Sequence, residues 1–342
     1  MKLRATLTAL AALTGVSAQG RDLPYKIDTH HHFLPASYRV ALDRAGGDPV
    51  GFPTPPWTPE ASLNSMAASG IRKAILSVTA PGVPIVPDLE GGRALAREIN
   101  DYSAQLREAY PESFGFFASL PALIDVQGCI AEIEYALDVL KADGVTLLTR
   151  YGDRNHYLGH ADFDAIWSAL DARNAVVFIH PTQQENATAI SPQLAQPVID
   201  YPHETTRTAV DMIVSNVTRR FPHVRRILSH AGGSLPFLIS RISTSSDENE
   251  ILLGGKTAAE IREDFRGFYY DLALSGDSAV LDMLLGLVPH ERIVYGSDFP
   301  YARPSLMAGF NENLDAYDFG PGLREKIYHG NAESLLAAGK NG

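Results

Sequence analysis

The sequence predicts an α/β protein closed as a (β/α)8 TIM barrel, and three observations carry that prediction. From Lys26 onward, short apolar runs rich in Val, Ile, Leu and Phe alternate with longer stretches of helical period, the pattern of βα units around a parallel sheet. Eight such runs occur, the number that closes this kind of barrel. The first is followed by a His-rich segment, where a doubly wound open sheet, the competing architecture, usually carries a Gly-rich phosphate turn.

Taken in order, residues 26–33 form the first expected strand. The Pro-rich segment 49–59 is a long loop ending in Trp57-Thr58-Pro59-Glu60, where Thr58 can cap the next helix with Pro59 in its first turn. Residues 73–78 give the second strand, and a helix over 90–109 leads to the third, 114–120. Helices over 126–141, 163–173 and 205–221 precede strands over 144–149, 176–180 and 225–230. The seventh and eighth strands, 268–274 and 293–298, flank a helix over 279–285.

A length of 342 residues admits two domains or one barrel with insertions. Apolar content of 45% and charged content of 20% are globular values, which exclude disordered and fibrous classes. A net charge of −11 argues against nucleic acid as a partner. Cys129 is the sole cysteine, so a metal site must draw on the eleven histidines and on carboxylates.

The amino terminus reads as a secretory signal peptide over residues 1–20. Residues 1–4 are basic, 5–16 apolar, and Val16-Ser17-Ala18 forms a small-residue cleavage pattern. A secreted or secretory-pathway protein is expected, with a cytoplasmic enzyme bearing an N-terminal extension as the alternative. No run reaches the roughly 20 apolar residues of a membrane span. Residues 21–342 then form one metal-dependent barrel domain. Sequons at Asn186 and Asn216 are of a kind that arises by chance.

Barrel enzymes carry their reacting groups at the carboxyl ends of strands, and four of these ends are polar. They read Asp28-Thr29-His30-His31-His32, Ile179-His180-Pro181, Ser229-His230-Ala231-Gly232-Gly233 and Gly296-Ser297-Asp298-Phe299-Pro300. Residues i and i+2 share a strand face, so His30 and His32 aim into the mouth while His31 faces the helices. His180 and Asp298 complete a His3Asp set suited to one divalent ion such as Zn(II), with Mn(II) as the alternative. His230 is either a fifth ligand or, the preferred reading, a general acid/base; a purely structural histidine at the Gly232-Gly233 turn is the plain competitor.

Ile27-Asp28-Thr29-His30-x-His32, His180-Pro181, His230-Ala-Gly-Gly and Gly296-Ser297-Asp298 together resemble the amidohydrolase superfamily, across almost the whole mature chain. Within it the chain looks most like the decarboxylase branch that includes aminocarboxymuconate semialdehyde decarboxylase and the fungal 6-methylsalicylate decarboxylases. Residues 57–60, 77–82 and 295–300 look particularly like the latter. The resemblance gives His30, His32, His180 and Asp298 the ligand roles and His230 the acid/base role. It also implies a single metal, because dinuclear relatives bridge two ions with a Lys at the end of strand four and residues 144–149 hold none. Lys141 lies before that strand on the preceding helix and reads as solvated.

Arg241, eleven residues after His230, matches an Arg that in the semialdehyde decarboxylase reaches a neighbouring subunit's site, which implies a homodimer if the role transfers; an ordinary surface Arg is the alternative. The branch's other carboxylate-binding Arg has no match in 49–59, which favours an aromatic carboxylic acid as substrate, with Trp57 and Phe299 as expected walls. Asp271, on strand seven, is read either as support behind the ligands or as a packed carboxylate. The function implied is nonoxidative decarboxylation of a hydroxybenzoate, with proton delivery by Asp298 or His230. The rivals are a metal-dependent hydrolase of a lactone or amide and a noncatalytic secreted binding protein on a retained barrel.

Overall fold

The computed structural model describes residues 23–152, 156–184, 188–248 and 253–339. The expected leader over 1–20 and the Asn186 sequon lie outside these; Asn216 is exposed. Ten strands occur among the described residues: β1 (Lys26–His32), β2 (Ile71–Ser77), β3 (Phe114–Ser119), β4 (Gly144–Leu148), β5 (Arg150–Tyr151), β6 (His156–Tyr157), β7 (Val176–His180), β8 (Arg225–Leu228), β9 (Tyr269–Asp271) and β10 (Ile293–Val294). β5 and β6 pair as a small antiparallel ribbon. The other eight form one parallel sheet in the order β1-β2-β3-β4-β7-β8-β9-β10.

That sheet returns on itself. The Thr29 N–H donates to the Tyr295 carbonyl (3.0 Å), the Asp298 N–H to the His30 carbonyl (2.8 Å) and the His32 N–H to the Phe299 carbonyl (2.6 Å). The barrel expected from the eight apolar runs is therefore the barrel found. Its helices are α1 (Ala36–Arg44), α2 (Pro59–Ser69), α3 (Leu89–Ala109), α4 (Val126–Ile133), α5 (Asp164–Asp171), α6 (Pro197–Val214), α7 (Val217–Arg220), α8 (Leu235–Glu248), α9 (Ala258–Gly267), α10 (Ser278–Leu287), α11 (Pro304–Ala316), α12 (Leu323–Glu325) and α13 (Asn331–Gly339). Among the described residues, no helix is long and apolar enough to cross a membrane.

Two apolar layers hold the barrel. The larger lies around the strands and under the helices; the smaller gathers Ile27, Ile75, Phe117, Phe178, Ile227 and Val294 against Leu335 and Leu336 of α13. Full burial of such side chains contributes about 1.5–3 kcal/mol each. Filled at this level and covered by α13, the barrel leaves the carboxyl ends of its strands as the place for a site.

Local chemistry sets several boundaries. The Thr58 hydroxyl accepts from the Ala61 N–H (3.1 Å), and Pro59 opens α2 as expected. Three expected strands are shorter than read. The sheet ladder ends at Leu228, Asp271 and Val294, because His230, Leu274 and Asp298 turn through left-handed backbone (φ 55°, 54° and 62°), which a strand cannot hold. The helix expected over 205–221 starts earlier, at Pro197 of α6. It carries Pro202 inside and is interrupted at Asn216 (φ 65°) before α7. The stretch 126–141 is α4 followed by a wider, π-type turn over Glu134–Val139.

Candidate active site

The site begins with the end of β1. Between Asp28 and His31 the pairing advances three residues on β1 against two on β2, a one-residue bulge. Ile27, packed in the inner layer with Phe178, and His30, whose ring is 4.9 Å from that of Phe178, thereby both face inward. His31 faces α2 instead, with its Nε2 3.0 Å from the Ser62 hydroxyl.

Asp28 fastens this edge to the last strand's end. Its Oδ1 accepts from the N–H groups of His30 (3.1 Å) and Ser297 (3.0 Å), while Oδ2 accepts from the Ser297 hydroxyl (2.5 Å) and meets His31 Nδ1 (2.9 Å). Gly296 is required beside it, since a Cβ there would lie 2.8 Å from His30 Cβ. The sequence reading gave Asp28 no role. A carboxylate two residues before His30 and four before His32 is the signal the sequence carries.

His30, His32, His180 and Asp298 converge, their ligand atoms all within 4.8 Å of one another. The Nε2 atoms of His30 and His32 are 3.0 Å apart, and Asp298 Oδ1 is 3.4 and 3.3 Å from them. Each imidazole has its other nitrogen against an acceptor: His30 Nδ1 on Asp271 Oδ2 (2.9 Å), His32 Nδ1 on the Ser77 carbonyl (3.2 Å) and His180 Nδ1 on the Pro181 carbonyl (2.8 Å). Those acceptors keep the proton on Nδ1 and turn three Nε2 lone pairs toward one point, as metal-binding histidines are usually oriented. Three nitrogens and one carboxylate oxygen form a donor set that fits one divalent ion.

Charge in the cluster agrees with that fit. Burial opposes a proton on His30, but Asp271 and Asp298 outweigh it and push its pKa up to about 10. Burial lowers His32 and His180, the latter further through its imidazole neighbours. Burial would raise Asp298, yet hydrogen bonds with His30 and His32 hold it well below the usual carboxylate range. The site favours one positive charge at its centre, which a cation would supply in place of the His30 proton.

His230 stands beside the ligand set, its ring 4.8 Å from that of His30 and 6.4 Å from that of His180. Its N–H donates to Asp271 Oδ1 (3.1 Å) and its Nδ1 meets the Ala273 carbonyl (3.1 Å). Burial, then His30, lowers its pKa. Asp271 also accepts from the Ala273 N–H (2.9 Å), so this buried carboxylate supports both His30 and His230.

His180, His230 and Asp298 form one side of a cavity of about 510 Å³, whose aromatic walls are Phe52, Tyr201, Tyr301 and Phe310. The expected walls differ. Trp57 is buried away from it, its indole N–H donating to the Ser62 hydroxyl (2.8 Å) and its ring edge-on to Phe33. Phe299 stacks on His31, ring centroids 4.8 Å apart, and does not line the cavity. Both pack on residues outside the ligand set, Trp57 on Ser62 and Phe33 and Phe299 on His31. Arg241 is exposed on α8 and does not line this cavity. Lys141 is exposed in the turn before β4, and β4 itself holds no Lys. Among the described residues, no Lys or Arg lines this cavity.

Fold and site together define a metal-dependent barrel enzyme. A sequence model of the amidohydrolase family matches residues 27–337, and the chain belongs to that family. A 6-methylsalicylic acid decarboxylase of Penicillium expansum is 45% identical over 311 residues, 91% of this chain and 96% of the relative. One from Aspergillus aculeatus is 47% identical over 296 residues, 85% and 88% of the two chains. A crystal structure of a dihydroxybenzoic acid decarboxylase from Polaromonas, with bound manganese and the inhibitor 2-nitroresorcinol, shares the fold. Its TM-score is 0.78 at 21% identity, covering 92% of this chain and 97% of that one.

Proposed function

We propose that this chain is a metal-dependent, nonoxidative decarboxylase of a hydroxybenzoate of the 6-methylsalicylate type. The observation that carries the reading is the convergence of His30, His32, His180 and Asp298 beside an aromatic-walled cavity that, among the described residues, no Lys or Arg lines. An acid entering it finds its counter-charge at the ligand cluster. The similarity of nearly the whole chain to 6-methylsalicylic acid decarboxylases supports the same reaction.

His30, His32, His180 and Asp298 would hold a divalent ion, which would supply Lewis acidity and charge compensation for the substrate. The remaining chemistry belongs to the chain. His230, kept neutral by burial and by His30, offers Nε2 as a base while the Ala273 carbonyl fixes its Nδ1–H. It takes the ortho-hydroxyl proton and delivers it to the ring carbon that bears the carboxylate. The bond from that carbon to the carboxylate then breaks, and its electron pair returns to the ring. CO2 leaves, and the resulting phenolate takes a proton from water. Asp298 is the second group in the cavity able to carry the proton. Apolar walls keep water from competing for it.

The donor set of three imidazoles and one carboxylate suits Zn(II); Mn(II), present in the Polaromonas relative, is the alternative. Homodimerisation through Arg241 and secretion after removal of residues 1–20 belong to the same reading. The test is purified protein of measured metal content incubated with 6-methylsalicylate. Equimolar CO2 and 3-methylphenol, lost on chelation and restored by metal, is expected. Hydrolysis of lactones or amides with no CO2 from any hydroxybenzoate would overturn it.

A further inference from the structure

The cavity beside the histidines is larger than a one-ring acid requires. About 510 Å³ falls within the range of roughly 300–1,000 Å³ that encloses drug-sized ligands, whereas methylsalicylate is one benzene ring with three small substituents. Much of the wall beyond the ligands is hydrocarbon from two helices. Val280, Met283 and Leu284 of α10 stand at i, i+3 and i+4 and so share one helix face; Leu306 and Phe310 of α11 stand four apart and share another. Both faces line the same cavity as His180, His230 and Asp298. Among the described residues, the one lining carboxylate outside the ligand cluster is Asp48, half-buried in the loop after α1.

We propose that the faces of α10 and α11 form a subsite for an unbranched alkyl chain on the substrate ring, so that the enzyme takes hydroxybenzoates bearing chains of several carbons. The proposal rests on the hydroxybenzoate reading above and names the substituent that the same site accepts. Apolar walls continuous with the ligand cluster favour hydrocarbon, and with no Lys or Arg among the described residues lining the cavity and Asp48 on its wall, a chain ending in a second carboxylate gains nothing by entering. Burying each added methylene tightens binding by about fourfold while room remains.

The test uses the full-length, metal-loaded enzyme with 6-methyl-, 6-propyl- and 6-pentylsalicylate, measuring Kd by calorimetry and CO2 release in parallel. Binding that tightens about fourfold per methylene from methyl to propyl, held or extended at pentyl, supports the subsite. Val280→Phe, which fills the recess, is then expected to remove the advantage of pentyl over methyl. Equal or weaker binding of propyl and pentyl by the wild-type enzyme overturns it. So does a chain-length advantage that survives in a folded Val280→Phe protein. CO2 is read separately: chain-length-dependent binding without CO2 keeps the subsite and sinks the decarboxylase reading, and CO2 release without chain-length-dependent binding does the reverse.

Discussion

Gly296→Ala separates a site built by close approach from one that tolerates looser assembly. Gly296 lies just beyond β10, and a methyl there would meet His30 Cβ at 2.8 Å, with Ala273 Cβ and Asp271 Oδ1 both at 3.2 Å. Carbon atoms attract best at about 3.5–4.0 Å, so the His30 contact falls short by roughly 1 Å. None of these neighbours can swing away. His30 is held by Asp271 and by the bulge in β1, and Asp271 by two backbone N–H groups. Overpacking of this kind costs about 1–3 kcal/mol, or roughly 1.5–4.5 °C in Tm for a domain of this size. Displacement of His30 also spoils the ligand set, whose distances tolerate only about ±0.2 Å.

The assay is paired calorimetric melting and metal titration of the variant against Gly286→Ala. Gly286 is in α10, where an added Cβ meets nothing within 4 Å, so that control should match wild type or gain about 0.5–1 kcal/mol from helix propensity. The expected result is a lower Tm and at least tenfold weaker metal binding for Gly296→Ala alone. Wild-type melting and metal affinity in Gly296→Ala would refute the reasoning.

Other expectations follow from the same geometry. His180→Ala should lose metal and activity together, measured by elemental analysis and CO2 release; full occupancy would remove His180 from the ligand set. His230→Ala should keep its metal and lose most turnover, a drop of about 10²–10⁴-fold for a general acid/base; unchanged kcat would make His230 structural. Arg241→Ala should raise KM in a dimer, read by kinetics and ultracentrifugation, and a fully active monomer would contradict the cross-subunit role. With a pKa raised from 6.5 to about 10, His30 holds its proton at pH 8 unless metal displaces it. Metal binding there should therefore release about one proton and strengthen as pH rises toward 10. Calorimetry in buffers of different ionisation enthalpy reads this directly, and pH-independent affinity with no proton release would contradict it.

Much of the barrel and of the ligand cluster was legible because both depend on short-range pattern. Alternation along a strand puts His30 and His32 on one face whatever the rest of the chain does, and the polar residues 180, 230 and 298 stand just where apolar runs end. Strand ends were harder to read. His230 and Asp298 leave extended geometry through left-handed turns, and a pattern of residue types does not distinguish the last ladder residue from the turn after it. α6 starts before the expected 205, with Pro202 accommodated within the helix.

The cavity wall was not legible, for a different reason. Trp57 and Phe299 lie within motifs, but Trp57 packs on Ser62 and Phe33 and Phe299 on His31. The walls come from Tyr201, Tyr301 and the inner faces of α10 and α11, residues whose helical spacing is the same as that of an ordinary core. Which apolar face meets a cavity and which meets a neighbour is decided by tertiary packing.

Anomalous diffraction at the metal edge, from crystals of the purified enzyme, tests the central claim most directly. One peak is predicted, about 2.0–2.2 Å from the Nε2 atoms of His30, His32 and His180 and from an Asp298 oxygen. A peak bound elsewhere, or two peaks sharing these side chains, would contradict it.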